Sequence, residues 1–311
     1  MTTESTPKSG RQGITLMQLA DMFPDEESAR TWFEDRIWPD GRVCPRCGSD
    51  KTVESKHPKM PYWCSEGRHY FSVKTGTVME ASKLPLRKWV YAIYLHLTSL
   101  KGVSSHKLSR DIGIGQESAW FMLQRIREAF DNNDGEQFGG PVEVDESYFG
   151  GREANKHQSK RLKQGGGTYG KVAVVAAKDR PTKRVKARVI KSADKATLHG
   201  FVEDTVARGA QLFTDEWPAY RGIRMRHTAV KHSDGQYVQG DAHTQGIESF
   251  WSMFKRGYVG TYHQMSPKHL HRYVREFAGR HNLRPLDTIE QMGELAKGMR
   301  GKRITYAALT A

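Results

Sequence analysis

Apolar residues recur at helical spacing early in the chain. Met22-Phe23-Pro24-Asp25-Glu26-Glu27 reads as a turn followed by an acidic first helical turn, which suits the positive end of the helix dipole. Ala29, Trp32, Phe33 and Ile37 then share one face, so one or two short helices are predicted over 14–38. Between 40 and 80 that spacing gives way to short β-like pieces punctuated by Cys, Gly and Pro. It returns over 84–130. Residues 86–100 set Trp89, Val90, Ile93, Tyr94 and Leu97 on one face, and 104–112 open on Ser104-Ser105-His106-Lys107, an N-cap start. Gly113-Ile114-Gly115 makes a turn. The helix predicted over 116–130 buries Ala119, Trp120, Leu123 and Ile126, and leaves Gln116, Ser118, Gln124, Arg125 and Arg127 polar.

The polar, turn-rich run 131–140 is the clearest boundary, and the texture changes after it. Strands are predicted over 142–149, 171–178, 185–191 and 210–215. A helix over 193–208 separates the third from the fourth, and helices follow over 244–258 and 267–281. Strands in succession, a helix, a strand and further helices indicate a mixed α/β sheet.

Charge sharpens this picture. Of 311 residues, 49 are Lys or Arg and 35 are Asp or Glu, a net +14. The first 40 hold eight acids and four bases, so the rest carry +18. An excess of that size points to a polyanionic partner, because each neutralised phosphate releases counterions. No apolar run approaches the roughly 20 residues of a membrane span, and the first twenty residues hold no signal-peptide core. Three Cys make no disulfide framework. The expectation is a cytoplasmic, nucleoid-associated protein of about two domains, neither membrane-bound nor secreted.

The Cys have metal-ligand spacing. Cys44-Pro45-Arg46-Cys47 offers two thiolates to one tetrahedral ion, and Gly48 permits the tight return of the chain. Cys64 follows seventeen residues after Cys47, and His69 completes a Cys3His site for structural Zn2+, with His57 as an alternative fourth ligand. The helix–glycine turn–helix behind it resembles a helix-turn-helix, whose second helix would enter the major groove. Gln116, Ser118 and Arg125 are its candidate DNA contacts.

The second half carries the carboxylates. In Val142-Glu143-Val144-Asp145-Glu146-Ser147, alternation puts Val142 and Val144 on one face and Glu143, Asp145 and Ser147 on the other. Asp215 ends a second apolar strand, where open α/β sheets place their sites. In the later helix, Ile247, Phe250, Trp251 and Phe254 form the buried stripe. Glu248 and Lys255, seven apart, lie on an adjacent face. Three acids from two strands and a helix suit two divalent ions that hold attacking and leaving oxygens, with Lys255 ready to meet phosphate.

Here the residues carry a resemblance. Tyr70-Phe-Ser-Val-Lys-Thr-Gly-Thr-Val-Met-Glu80, the run from Val142 to Gly151 and the run from His243 to Gly257 resemble bacterial insertion-sequence transposases of the ISXO-like group, over about 38–284. The resemblance implies an α/β catalytic domain, an RNase-H-like mixed sheet with helices, preceded by a small zinc ribbon and an all-α helix-turn-helix region. It implies that Asp145, Asp215 and Glu248 are both catalytic residues and ligands of two Mg2+ ions, with Mn2+ as a substitute. Gln245 is a second candidate for the third position. Lys255 and Arg256 would contact DNA, and 152–171, with six bases and one acid, would be a DNA-contacting loop.

The expected division is an N-terminal helical segment (1–39), ribbon (40–80), helix-turn-helix (81–130), linker (131–140), catalytic domain (141–285) and C-terminal tail (286–311). The expected function is cleavage and joining of phosphodiester bonds at terminal inverted repeats and target DNA, by a homo-oligomer on paired ends. A domesticated, non-catalytic DNA-binding regulator and an RNase-H-like structure-selective nuclease are the rivals.

Overall fold

The computed structural model describes residues 12–130, 135–151, 157–161, 167–230 and 244–311. Parts of the 131–140 linker, of the basic run 152–171 and of the motif at His243 lie outside the described residues. The chain forms two units, one from 1–132 with 283–311 and the other from 133–282.

In the first unit, α1 (Leu16–Met22) and α2 (Glu26–Ile37) lead into a three-stranded antiparallel sheet of β1 (Thr52–Glu54), β2 (Tyr62–Cys64) and β3 (His69–Phe71). Asp25 caps α2 through Ser28, and the acidic turn sits at Glu26 and Glu27 as predicted. Helices α3 (Leu86–Thr98), α4 (Ser105–Ile112) and α5 (Gln116–Ala129) follow. Pro85 cannot cap α3 with a side chain; Glu26 does so, accepting from the amides of Leu86 (2.6 Å) and Arg87 (3.0 Å). Ser104 caps α4, and Gly113 ends it in the left-handed region at φ +60°, a conformation that costs glycine little.

The second unit is built on a five-stranded sheet. Strands β4 (Val142–Phe149), β5 (Val172–Asp179), β6 (Val185–Ile190), β7 (Gln211–Asp215) and β8 (Arg226–Val230) lie in the order β6-β5-β4-β7-β8. The first three pair antiparallel, while β7 and β8 join parallel to β4. Helix α6 (Lys195–Thr205) makes the crossover and covers one face, where Val142, Val144, Val175, Leu198 and Val202 pack. Helices α7 (Gln245–Gly257) and α8 (Leu270–Leu283) supply the layer against the other, where Phe149, Val174 and Ala176 meet Ile247, Phe250 and Phe254. The predicted mixed sheet is present, with one more parallel strand, β8, than the sequence suggested.

The chain then returns to the first unit as α9 (Thr288–Lys297) and α10 (Tyr306–Thr310). These residues were expected to form a tail. Instead Met292, Leu295, Ala296 and Met299 are buried in the first core with Phe33, Trp89 and Ile126. Among the described residues no helix is long and apolar enough to cross a membrane.

Candidate functional site

The ribbon gathers its ligands through its register. Cys64 on β2 pairs with His69 on β3, so both side chains leave the same face. Cys44 and Cys47 come from the preceding turn, closed by the Gly48 amide on the Cys44 carbonyl (2.8 Å), with Gly48 at φ +76°. Among the described residues, Cys44, Cys47 and Cys64 form the one acid, Cys or His group whose donor atoms all lie within 4.8 Å of one another. His69 Nε2 lies 2.9 Å from Cys44 Sγ. Its Nδ1 donates to the Gly67 carbonyl at 2.6 Å, which turns the Nε2 lone pair towards the sulfurs, as a metal-ligating imidazole requires. His57 is engaged elsewhere: its Nδ1 accepts from the amides of Lys59 and Met60, and its ring packs on Tyr70. Soft thiolates in a tight, partly buried cluster suit structural zinc.

The DNA-facing expectation for α5 needs correction. Arg125 is 5% exposed, its guanidinium 4.0 Å above the Phe121 ring and hydrogen-bonded to the Ile304 carbonyl. Gln124 and Arg127 are buried as well. The C-terminal segment, whose position no local pattern reveals, covers this side of α5, while Trp120, expected inside, is only half-buried. Ser118 is exposed, and Gln116 is half-buried and bonded to Ser105.

In the second unit, β4 and β7 run parallel with Val142 beside Leu212 and Glu143 beside Phe213. Three residues further along each strand, the same register brings Asp145 level with Asp215, on the face that α7 covers. Helix α7 presents Glu248 in its first turn and Lys255 in its last, both exposed. The other three charges all act on Asp145: its carboxyl is pushed up to about 6, first by burial and then by the Asp215 and Glu248 carboxylates. The Glu146 amide (2.8 Å) and Lys255 pull the other way. Asp215 accepts from the Trp217 amide at 3.0 Å, and the Thr244 hydroxyl bonds Glu248 at 3.1 Å. Gln245 is exposed at the start of the helix. Arg256 is exposed, with Nε on the Ser252 carbonyl.

Carboxylates whose charges reach a mostly buried Asp145 form a donor set that a hard divalent cation would relieve of its repulsion. The residues present therefore fit Mg2+ or Mn2+, although the three acids are set wider than the ribbon cysteines.

Two features escaped the sequence. Glu146 points to the opposite face, beside Tyr220; burial, then the Asp215 and Asp145 charges, push its carboxyl up to about 8. Glu143, read as one more residue of the polar face, is 1% exposed and takes hydrogen bonds from Arg180 and from the start of α7. The only hint was its position, two residues before Asp145 on the face α7 would have to cover.

Residues 137–282 match the ISXO2-like transposase domain, and 24–70 match the transposase zinc-ribbon domain. The chain carries an ISXO2-like transposase domain behind a transposase zinc ribbon. This transposase is also 28% identical, over 269 residues, to an uncharacterized protein of transposable element ISH50 in Halobacterium salinarum, covering 82% of this chain and 90% of the relative. A solved structure, a simian T-cell lymphotropic virus intasome in complex with PP2A regulatory subunit B56 gamma, matches at 15% identity and TM-score 0.28. It covers 60% of this chain, which spans 65% of that one. The likeness is too slight to bear on fold or partner. The zinc-ribbon match begins at 24, earlier than the expected 40, and so takes in the whole of α2. The Tyr62 hydroxyl on β2 bonds Glu34 of that helix at 2.5 Å, which accounts for the two travelling together.

Proposed function

We propose that this transposase cleaves and joins DNA strands at the ends of its element, with Asp145, Asp215 and Glu248 as the metal-binding catalytic carboxylates. The observation that carries this is the common field of the three acids, from neighbouring parallel strands and the covering helix, in which Asp145 stays mostly buried. Two Mg2+ ions, or Mn2+, bound there would polarise the phosphodiester and lower the pKa of an attacking water or 3′-hydroxyl. Asp145 and Asp215 supply fixed oxygens from the rigid sheet, and Glu248 supplies one from the adjustable start of a helix. Lys255, two turns along, sits where it can meet a non-bridging phosphate oxygen, and Arg256 extends that cationic edge. Glu248 is preferred to Gln245 at the third position because its charge reaches Asp145.

The ribbon and the α4–α5 pair would hold the terminal inverted repeats, with Ser118 and Gln116 nearest the bases. Double-stranded DNA, as element end and as target, accounts for the +14 charge. A homo-oligomer would pair the two ends. Incubating the protein with a duplex carrying the element's own terminus and Mg2+ should give a nick at the terminus, followed by joining to a second duplex. Binding without metal-dependent cleavage would point instead to the regulator, and cleavage indifferent to end sequence to the structure-selective nuclease.

A further inference from the structure

Helix α7 starts without help from its own N-cap. Thr244 makes no side-chain cap bond to the helix amides, because its hydroxyl is turned to Glu248. The Glu143 carboxylate fills that place from the strand below. Its Oε2 accepts from the Ile247 amide at 2.8 Å, and its Oε1 accepts from Arg180 Nε at 2.8 Å. Arg180 is held in turn with its guanidinium 4.1 Å from the Phe213 ring centre. Directly across the sheet from Glu143, Lys178 donates from Nζ to the Gly246 carbonyl at 2.8 Å. The helix therefore meets the sheet through two bonds to adjacent residues of its first turn. Gly246 makes this approach possible, since a Cβ there would stand 2.7 Å from Glu143 Oε2.

The bond's position in sequence gives it a further consequence. Glu143 lies two residues before Asp145 on the same face of β4, and Ile247 immediately precedes Glu248. We propose that Glu143 is a positioning residue: by capping α7 from the sheet, it fixes Glu248 relative to Asp145 and Asp215 and so preorganises the divalent-cation site. This rests on the reading of those three acids as metal ligands. Helix termini offer amides that a carboxylate satisfies well, and residues that orient metal ligands typically change metal affinity about 10–100-fold when altered.

The test uses full-length protein: wild type, Glu143→Gln, and Gly246→Ala, which leaves every charge in place. Mn2+ affinity is measured by calorimetry on protein with its ribbon zinc retained. The Mg2+ concentration for half-maximal strand cleavage and the affinity for end DNA are measured alongside. In both variants Mn2+ should bind at least about tenfold more weakly and the Mg2+ requirement should rise, with cleavage partly restored at high Mg2+ and end affinity kept within about twofold. Unchanged Mn2+ affinity and Mg2+ requirement in both variants would overturn the proposal, as would lost cleavage that no metal concentration restores. If Glu143→Gln does not fold, Gly246→Ala decides by the same criteria. A wild-type protein that binds no Mn2+ at Asp145, judged against Asp145→Ala, would overturn the reading of the three acids itself, a result distinct from wild-type binding that the Glu143 variant leaves unaltered.

Discussion

Asp145 and Asp215 stand level on neighbouring parallel strands, because the pairing of Val142 with Leu212 carries both residues to the same height on the same face. Two carboxylates so placed, one mostly buried, store repulsion in the metal-free protein. Burial first, and then the Asp215 and Glu248 charges, push the Asp145 carboxyl up to about 6 from its usual 3.8.

The sign of the pH dependence follows. A carboxyl whose pKa is raised on folding binds its proton more tightly in the folded state, so stability falls as pH rises through the window from about 4 to 6 and stays low above it. The contribution is on the order of 2 kcal/mol. Asp145→Asn should therefore melt higher than wild type at pH 7.5 in buffer free of Mg2+ and Mn2+, without chelator so that zinc stays. The difference should shrink towards pH 4. Parallel melting curves for the two proteins across that range would contradict the origin given for the shift.

Zinc analysis of variants addresses the ribbon. Cys44→Ser and His69→Ala should lose most of their bound zinc and destabilise the first unit, because these side chains converge at 2.9 Å. His57→Ala should keep its zinc, as that imidazole serves Lys59, Met60 and Tyr70. Zinc lost from the His57 variant and kept in the His69 variant would reverse the assignment.

On α5 the two predictions differ in kind. Arg125→Ala should lower thermal stability, by about 1–3 kcal/mol, because it removes a buried stack on Phe121 and the bond to Ile304. Ser118→Glu should leave the melting temperature unchanged and weaken end binding about tenfold or more, by placing an anion at the exposed start of the helix near phosphate. Melting scans and mobility-shift titrations on the same preparations separate the two. A normal melting temperature for Arg125→Ala with lost DNA binding would restore that residue to the interface.

The closing helix is expected to be part of the first unit's fold. A Cβ at Gly298 would meet the Ala129 carbonyl oxygen at 2.2 Å, where the end of α9 passes the end of α5. Gly298→Ala should cost about 1–3 kcal/mol through overpacking, and truncation after 286 should unfold the ribbon and α1–α5. Circular dichroism of the truncated protein retaining the full helical signal of α1–α5 would contradict this.

These particulars also show what local pattern reveals. Helical spacing, the Ser104 cap and the glycine turn located α3 to α5 within a residue or two, because a helix that buries one stripe must repeat at that period. Alternation placed Val142, Val144 and Asp145 on their faces. The same alternation could not show that Glu143 is buried, since an acid beneath a helix N-terminus has the same sequence pattern as an acid in water. Arg125 looked exposed because the segment that covers it lies 179 residues away in the chain. The strand β8 has a mostly half-exposed pattern with Arg226 and His227, and its parallel pairing to β7 is a non-local contact with no period of its own.

Strand cleavage of end DNA, assayed together with end binding in Mg2+, tests the central claim most directly. With wild type, Asp145→Ala, Asp215→Ala, Glu248→Ala and Gln245→Ala, the first three variants should bind ends like wild type and cut at less than about a thousandth of its rate, a loss of roughly 4 kcal/mol in transition-state stabilisation. Gln245→Ala should still cut. Cleavage that survives in any of the three acid variants, or that is lost only with Gln245, would contradict the assignment.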